Sequence, residues 1–431
     1  SAPRAATRPR VRLGAEKRGL PVKLVHAADL HVDSPLRGLD RYDGAPVSAL
    51  RHATRRALEN LVTLTLDEGA SVLLLAGDLF DGEWRDFGTG LHFASQLARL
   101  REAGARVVLV RGNHDASSVV TAHLRLGEHV TELSTAAPET CVFEDLGLAI
   151  HGQGYRSRAV RDDLAAACPA PLRDLLNVGL LHTSIDGRPG HEPYAPARRE
   201  TLLEKGYAYW ALGHVHAREV VSTDPWVVFS GNLQGRHARE VGPKGATLIT
   251  VEDGKIRAVE ARALDAVRWA HVAVSATDAR VVDDVLERAS EAVAEAARGA
   301  DGRLLAARIT VSGLPALGST LAAETAGLET QLRLALVSER GDSVFLEKVR
   351  VRLEPARAPG AAAAEALLEA TSDEEELERR ELDRDLRELE KRLPPGLRAD
   401  LEADHASCLD EALARARGAV RDALRRPEGD S

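Results

Sequence analysis

Two short, almost wholly apolar segments constrain the fold of this chain most. Residues 70–76 (Ala-Ser-Val-Leu-Leu-Leu-Ala) and 106–110 (Arg-Val-Val-Leu-Val) are too brief for core helices and have no polar face. Such runs read as strands buried on both sides. A third, 22–28, precedes them. Between the three lie helical patterns: residues 46–67 carry Leu50, Ala53, Ala57, Leu61 and Leu64 on one face, and 88–103 repeat the period. The resulting β-α-β-α-β rhythm requires parallel strands with helices on their faces. Further strands are predicted at 146–151, 176–181, 208–212, 226–230 and 245–252. The pieces after 218 are short and close together, which predicts a second, mostly antiparallel sheet.

Each strand end delivers metal-ligating chemistry. In order come Asp29-Leu30-His31, Gly77-Asp78, Gly112-Asn113-His114-Asp115, His182 and Gly213-His214-Val215-His216. Ligand sites of open α/β sheets gather at the carboxyl ends of strands. Asp29 and His31 lie two apart, so an extended backbone sends both to one side, where they can hold a first metal. Asp78 can bridge, one carboxylate oxygen to each ion. Asn113 and His182 serve the second, and His214 and His216 can serve the two separately. Two divalent cations about 3.5–4 Å apart clamp a phosphoryl group and activate water as hydroxide near neutral pH. The pattern therefore points to phosphoester hydrolysis. Mixed O and N donors suit Mn²⁺, Fe²⁺, Zn²⁺ or Co²⁺. His114 is read as a proton donor to the leaving alkoxide, with Asp115 orienting it. His26, His52, His92, His123 and His129 have no partner motif and are read as ordinary surface or core residues, while His151 and His237 adjoin the site loops.

At 431 residues two or three domains are expected. The expected divisions are a flexible basic tail (1–20), the domain that carries these motifs (21–265), a small α/β domain without them (266–355) and a helical tail (361–431). Strands at 268–275, 304–311 and 344–353 alternate with helices to about 298 and over 319–338 in the third of these. In the tail, Leu377, Leu382, Leu386, Leu389 and Leu393 form a narrow stripe on a densely charged helix. A stripe of that width cannot fold alone and needs a partner surface. Three widely spaced cysteines form no disulfide framework or zinc motif, which suits a cytoplasmic location. No apolar run reaches the ~18 residues of a membrane span. Net charge is −9, which excludes nonspecific coating of nucleic acid but not a local basic track. The candidates for that track are Arg188, Arg198, Arg199, Arg236, Arg239 and Lys244. No GxxxxGK[ST] motif occurs, so any ATP-driven step must come from a partner.

Beyond the metal signature, five stretches are distinctive: Asp29-Leu-His-Val-Asp-Ser-Pro-Leu-Arg-Gly38, Gly77-Asp-Leu-Phe-Asp-Gly82, Gly187-Arg-Pro-Gly-His-Glu-Pro-Tyr-Ala-Pro196, Tyr209-Trp-Ala-Leu-Gly-His-Val-His216 and Gly231-Asn-Leu-Gln-Gly-Arg-His237. Over about residues 22–265 the chain resembles the calcineurin-like metallophosphoesterases, and within them the SbcD-type DNA repair nucleases, YhaO branch. The resemblance implies an α/β fold: a two-sheet metallophosphoesterase sandwich flanked by helices, plus a small α/β capping domain (266–355) and the helical tail. It implies a Mn²⁺-dependent nuclease core, with Asp29, His31, Asp78 and His216 on one metal and Asp78, Asn113, His182 and His214 on the other. It implies that His114 acts on the leaving group, that the cap positions DNA, and that the C-terminal helices grip the coiled coil of an SMC-like ATPase. Some relatives have His three residues after the bridging Asp. Asp81 stands there in this chain, so a base-contacting role is not carried over.

The leading expectation is thus a DNA repair exonuclease, with endonuclease activity possible in the same site, an ATPase partner and scope for a homodimer. The alternative is a small-molecule or cyclic-nucleotide phosphodiesterase or phosphatase, which needs neither cap nor tail. A third reading, an assembly protein with a vestigial site, sits poorly with the full ligand set.

Overall fold

A computed structural model describes residues 21–34, 46–81, 87–117, 124–185, 195–313 and 325–352, with 383, 384, 387 and 388. The strands are β1 (Val22–Ala27), β2 (Val72–Ala76), β3 (Arg106–Val110), β4 (Val130–Glu132), β5 (Glu139–Phe143), β6 (Leu148–Gln153), β7 (Leu176–His182), β8 (Tyr209–Gly213), β9 (Glu219–Thr223), β10 (Trp226–Phe229), β11 (Gly245–Glu252), β12 (Lys255–Ala263), β13 (Val267–Ser275), β14 (Leu304–Ser312) and β15 (Val344–Arg352). Helices α1 (Val47–Arg51), α2 (Ala53–Asp67) and α3 (Phe87–Glu102) lie between the first three.

Two six-stranded sheets form, in the orders β12-β11-β1-β2-β3-β4 and β5-β6-β7-β8-β10-β9. In the first, β1, β2, β3 and β4 run parallel, and β11 returns antiparallel beside β1. The second sheet corrects the sequence reading. Its central strands β6, β7, β8 and β10 are parallel, and only the edge strands β5 and β9 are antiparallel to their neighbours. The reason lies in β9. It turns back to the sheet edge, so β10 fills the place beside β8 in the same direction. The short pieces after 218 pointed to antiparallel pairing, and their spacing carried no information about which strand sits inside.

The apolar runs end up where their composition requires. Leu24, Leu74, Val108 and Val110 of the first sheet share one core with Ile150, Val178, Leu180 and Ala211 of the second. The outer face of the first sheet packs Leu73, Leu75 and Val107 under Leu58, Leu61, Phe93 and Leu97 of α2 and α3. Trp210, Tyr207, Tyr155 and Leu202 cover the outer face of the second. Each buried leucine is worth about 1.5–3 kcal/mol.

β13, β14 and β15 make a third sheet in that order, with helices Val282–Gly299 and Thr325–Arg340 between them. Val285, Ala289 and Val293 give the first of these helices its buried face. Val267, Trp269, Ala306 and Phe345 pack against Leu50, Ala53 and Ala238. Asn60 donates to the Leu264 carbonyl, 2.8 Å. Asp265 is buried between Arg268 and Arg303, with Arg268 Nε at 2.5 Å. Two compact units divide the chain: 1–275, 282–311 and 324–351 in one, and 276–281, 312–323 and 352–431 in the other. In the second, Ala276 N–H donates to Ser312 O, 2.8 Å. The tails expected at 1–20 and 361–431 lie outside the described residues, but for helical Asp383, Arg384, Arg387 and Glu388. Among the described residues no helix is long and apolar enough to cross a membrane, and Cys141 and Cys168 are free thiols.

Candidate metal centre

Parallel pairing aligns the carboxyl ends of β1, β2 and β3, and of β7 and β8, so the loops that follow them converge. Backbone bonds tie those loops together: Asp29 N–H to Gly77 O, His31 N–H to Asp78 O and Thr183 N–H to Gly213 O. Asp29, His31, Asp78 and His214 all adopt left-handed φ, between 42° and 98°. That conformation costs a non-glycine residue on the order of 1–3 kcal/mol, and its concentration here marks a built site. Gly112 is required by close approach: a Cβ there would collide with Asp78 Oδ1 and with its backbone N at 2.6 Å.

The predicted ligands meet. Donor atoms of Asp29, His31 and His216 lie within 4.8 Å of one another, as do those of Asp29, Asp78 and His182. Asp78 Oδ2 stands between the groups, 3.9 Å from His31 Nε2 and 3.5 Å from His182 Nε2. Asn113 Oδ1 is 2.9 Å from His182 Nε2. The His214 ring lies edge-on to His182 with centroids 5.2 Å apart, and the His214 N–H donates to Asp29.

Tautomers test whether cations fit. His182 Nδ1 is 2.9 Å from the Ala76 carbonyl, His31 Nδ1 is 2.6 Å from Asp81, and His216 Nδ1 is 2.7 Å from Glu240. Each partner is an acceptor, so Nδ1 carries the hydrogen and Nε2 presents a bare lone pair. Yet His31 Nε2 and His216 Nε2 face each other at 3.4 Å, and His182 Nε2 faces the Asn113 oxygen. Lone pairs so opposed repel unless positive charge sits among them. Burial would lower the His182 pKa, but Asp78 and Asp29 outweigh it and raise the value. The donor set fits divalent cations.

The structure redraws the roles around these ligands. The sequence places Asp115 as the group orienting His114. Its carboxylate instead accepts the N–H groups of Leu79, Phe80 and Gly112 at 3.0–3.1 Å, stapling two ligand loops. Burial and the neighbouring Asp78 push its pKa up to about 7. Asp81 is the carboxylate beside His114 Nδ1, at 3.5 Å. Burial opposes ionisation of Asp81, but His31 and Arg236 hold its carboxyl well below the usual range. His114 is half-exposed, and burial lowers its pKa against the pull of Asp78 and Asp81. Glu240 escaped the sequence reading because it falls three residues beyond the last distinctive stretch, on a loop with no periodicity.

Of the basic candidates, Arg236 reaches the site, 3.5 Å from Asp81 and 3.4 Å from Glu240. Arg198, Arg199 and Arg239 are exposed. Lys244 is corrected: it is buried, and its ammonium donates to the His216 carbonyl at 2.9 Å, drawn in by Glu240, Asp265 and Asp29. Arg188 lies outside the described residues, as does His123. His151 is structural, bonded to Thr140 and Asn177 and stacked on Tyr207. His237 is half-exposed, 3.8 Å from Glu240.

Residues 22–218 match the calcineurin-like phosphoesterase family, and residues 269–354 match the middle domain of metallophosphoesterase YhaO. Residues 22–218 are thus a calcineurin-like metallophosphoesterase domain, followed by a YhaO-type middle domain. The chain shares 36% identity over 260 residues with an uncharacterized metallophosphoesterase YhaO of Bacillus subtilis, covering 59% of this chain and 64% of that one. It is 27% identical to the DNA double-strand break repair protein Mre11 of Methanopyrus kandleri, over 45% of this chain and 44% of that one. The chain thus spans less than two thirds of the length of either relative. Among solved structures, that of TT1561 from Thermus thermophilus aligns over 55% of this chain and 98% of its own, at 14% identity and a TM-score of 0.33.

Proposed function

We propose that this metallophosphoesterase is a two-metal DNA phosphodiesterase, a repair exonuclease with endonuclease capacity in the same site. The observation that carries the reading is the pair of donor groups joined at Asp29 and Asp78, with half-exposed His114 at their rim. The likeness to a DNA break repair protein and the YhaO-type second domain support DNA over a small diester.

Asp29, His31, Asp78 and His216 would hold one cation, and Asp78, Asn113, His182 and His214 the other, Mn²⁺ being the proposed ion. The pair would supply Lewis acidity and a nucleophile near neutral pH. The protein's own groups do the rest. Asp115 keeps the Asp78 and Asn113 loops in register. His114 carries a proton for the leaving oxygen of the broken phosphodiester, with Asp81 beside its Nδ1. Arg236 offers a guanidinium to phosphate oxygens, which it can bind bidentately; Arg198, Arg199 and Arg239 serve the DNA backbone farther out. The leucine stripe of 361–431 supports a grip on the coiled coil of an SMC-like ATPase, with homodimerisation as a further proposal and the cytoplasm as the proposed location.

The test is purified full chain with Mn²⁺ on end-labelled linear duplex DNA, beside bis-p-nitrophenyl phosphate, with His114→Ala as control. Degradation from the ends, lost in the variant, is expected. Cleavage of the small diester alone, with DNA intact even when an ATPase partner is added, would overturn the DNA reading.

A further inference from the structure

The two donor groups differ in how their histidines are supported. His182 Nδ1 rests on a backbone carbonyl, that of Ala76 on β2. His216 rests on the Glu240 carboxylate. Both oxygens of that carboxylate are engaged. Oε1 takes His216 Nδ1–H at 2.7 Å and, more weakly, Arg236 Nη2 at 3.4 Å. Oε2 takes the Arg236 backbone N–H at 2.7 Å and Asn232 Nδ2 at 3.0 Å. The loop 231–245 also holds the other end of His216, whose carbonyl accepts from Asn232 N–H at 3.1 Å and Lys244 Nζ at 2.9 Å.

That loop is built on the cap. Gln234 Oε1 accepts the N–H groups of Ala266 and Val267 at 2.7 and 3.2 Å, and its Nε2 donates to Val267 O at 2.7 Å. Trp269 Nε1 donates to Gly235 O, and Gly242 N–H donates to Trp269 O, both 2.9 Å. Ala238 is buried with Val267, Trp269, Ala306 and Phe345. A chain of short bonds thus runs from β13 through the loop to Glu240 and the His216 ring.

We infer that Glu240 is a positioning residue for one metal of the pair, and that the second domain, through β13 and this loop, sets the affinity of the Asp29–His31–His216 site without setting that of its neighbour. The physical ground is the tautomer. A carboxylate on Nδ1 fixes the ring's rotation, keeps Nε2 bare and makes it a better donor, and loss of such a partner typically costs about 10–100-fold in metal affinity. The inference rests on the two-metal reading above.

The experiment is calorimetric Mn²⁺ titration of the full-length apoprotein and its Glu240→Gln and Trp269→Phe variants. Trp269→Phe keeps a ring in the cap core and removes the bond to Gly235. The wild type is expected to bind two ions. Glu240→Gln should weaken one of them about 10–100-fold, and Trp269→Phe should weaken the same one, with the other unchanged in both. Two sites in the wild type and an unaltered titration in Glu240→Gln overturn this inference alone. A wild type that binds no pair of ions overturns the two-metal reading and this inference with it. Should Glu240→Gln not fold, long-range ¹H–¹⁵N spectra of histidine-labelled wild-type apoprotein decide: His216 protonated at Nδ1 supports the assignment, and at Nε2 overturns it.

Discussion

His26 and His114 show how burial and neighbours separate residues of one type. His26 is wholly buried between the sheets, with Nδ1 3.0 Å from the Tyr209 hydroxyl, and burial pushes its pKa from 6.5 down to about 3. Between those values the unfolded chain binds a proton that the native chain refuses. Stability from this group is therefore whole above pH 6.5 and falls as pH drops toward 3, by up to about 1.4 kcal/mol per unit. His26→Phe should flatten that slope in urea melts between about pH 7 and 4; parallel slopes in both proteins would sink the assignment. His114, half-exposed at the cluster's rim, makes the opposite prediction. His114→Ala should cut kcat by about 10²–10⁴-fold and leave Mn²⁺ stoichiometry as in the wild type. Asp115 is a third case. Its removal orphans three buried N–H groups, each worth about 1–3 kcal/mol. Asp115→Ala should thus lower the melting temperature of the apoprotein, where a mere orienter of His114 would change only the rate.

At the level of elements, the site is made by strand ends, and its precision comes from what anchors the loops. The Asp29–Ser34 segment is fastened by Asp33, which receives Arg55 through Nε at 2.7 Å and Thr89 Oγ1 at 2.5 Å. The loop after β3 owes its closeness to Gly112. Gly112→Ala forces Asp78 aside, so the expected result is loss of tight Mn²⁺ binding in titration, with the β3 core intact by circular dichroism. Most of the elements could be read from the chain because wholly buried parallel strands are continuous apolar runs and their covering helices keep a strict period. β4, β5, β9 and β12 could not. They are edge strands with solvated faces, and their mixed polar and apolar residues do not distinguish them from loops. The candidate ligands were legible for the same reason as the strands: each follows a run whose end is visible. Glu240 and the true use of Asp115 and Lys244 were not, since each depends on a loop folding back across long sequence separation.

For the whole molecule, the third sheet, the expected cap, packs on α1, α2 and Ala238 through an apolar contact centred on Trp269, with the buried Asp265–Arg268–Arg303 cluster beside it. Trp269→Ala removes a buried indole and its bond to Gly235. The expected cost is about 3–5 kcal/mol, measurable as a shift in the denaturant midpoint; an unchanged midpoint would mean that the cap docks by other means. By itself the sequence determined the parallel α/β core, the order of the ligands along the chain and the chemistry they can support, because local period and composition dictate strands, helices and donor types. The tertiary structure alone decided the direction of the second sheet's strands, the place of Asp81 and not Asp115 beside the His114 ring, the burial of Lys244 and the hold of Glu240 on His216. Each of these is a contact between residues far apart in sequence, and such contacts exist only once the sheets, the loops and the cap have packed.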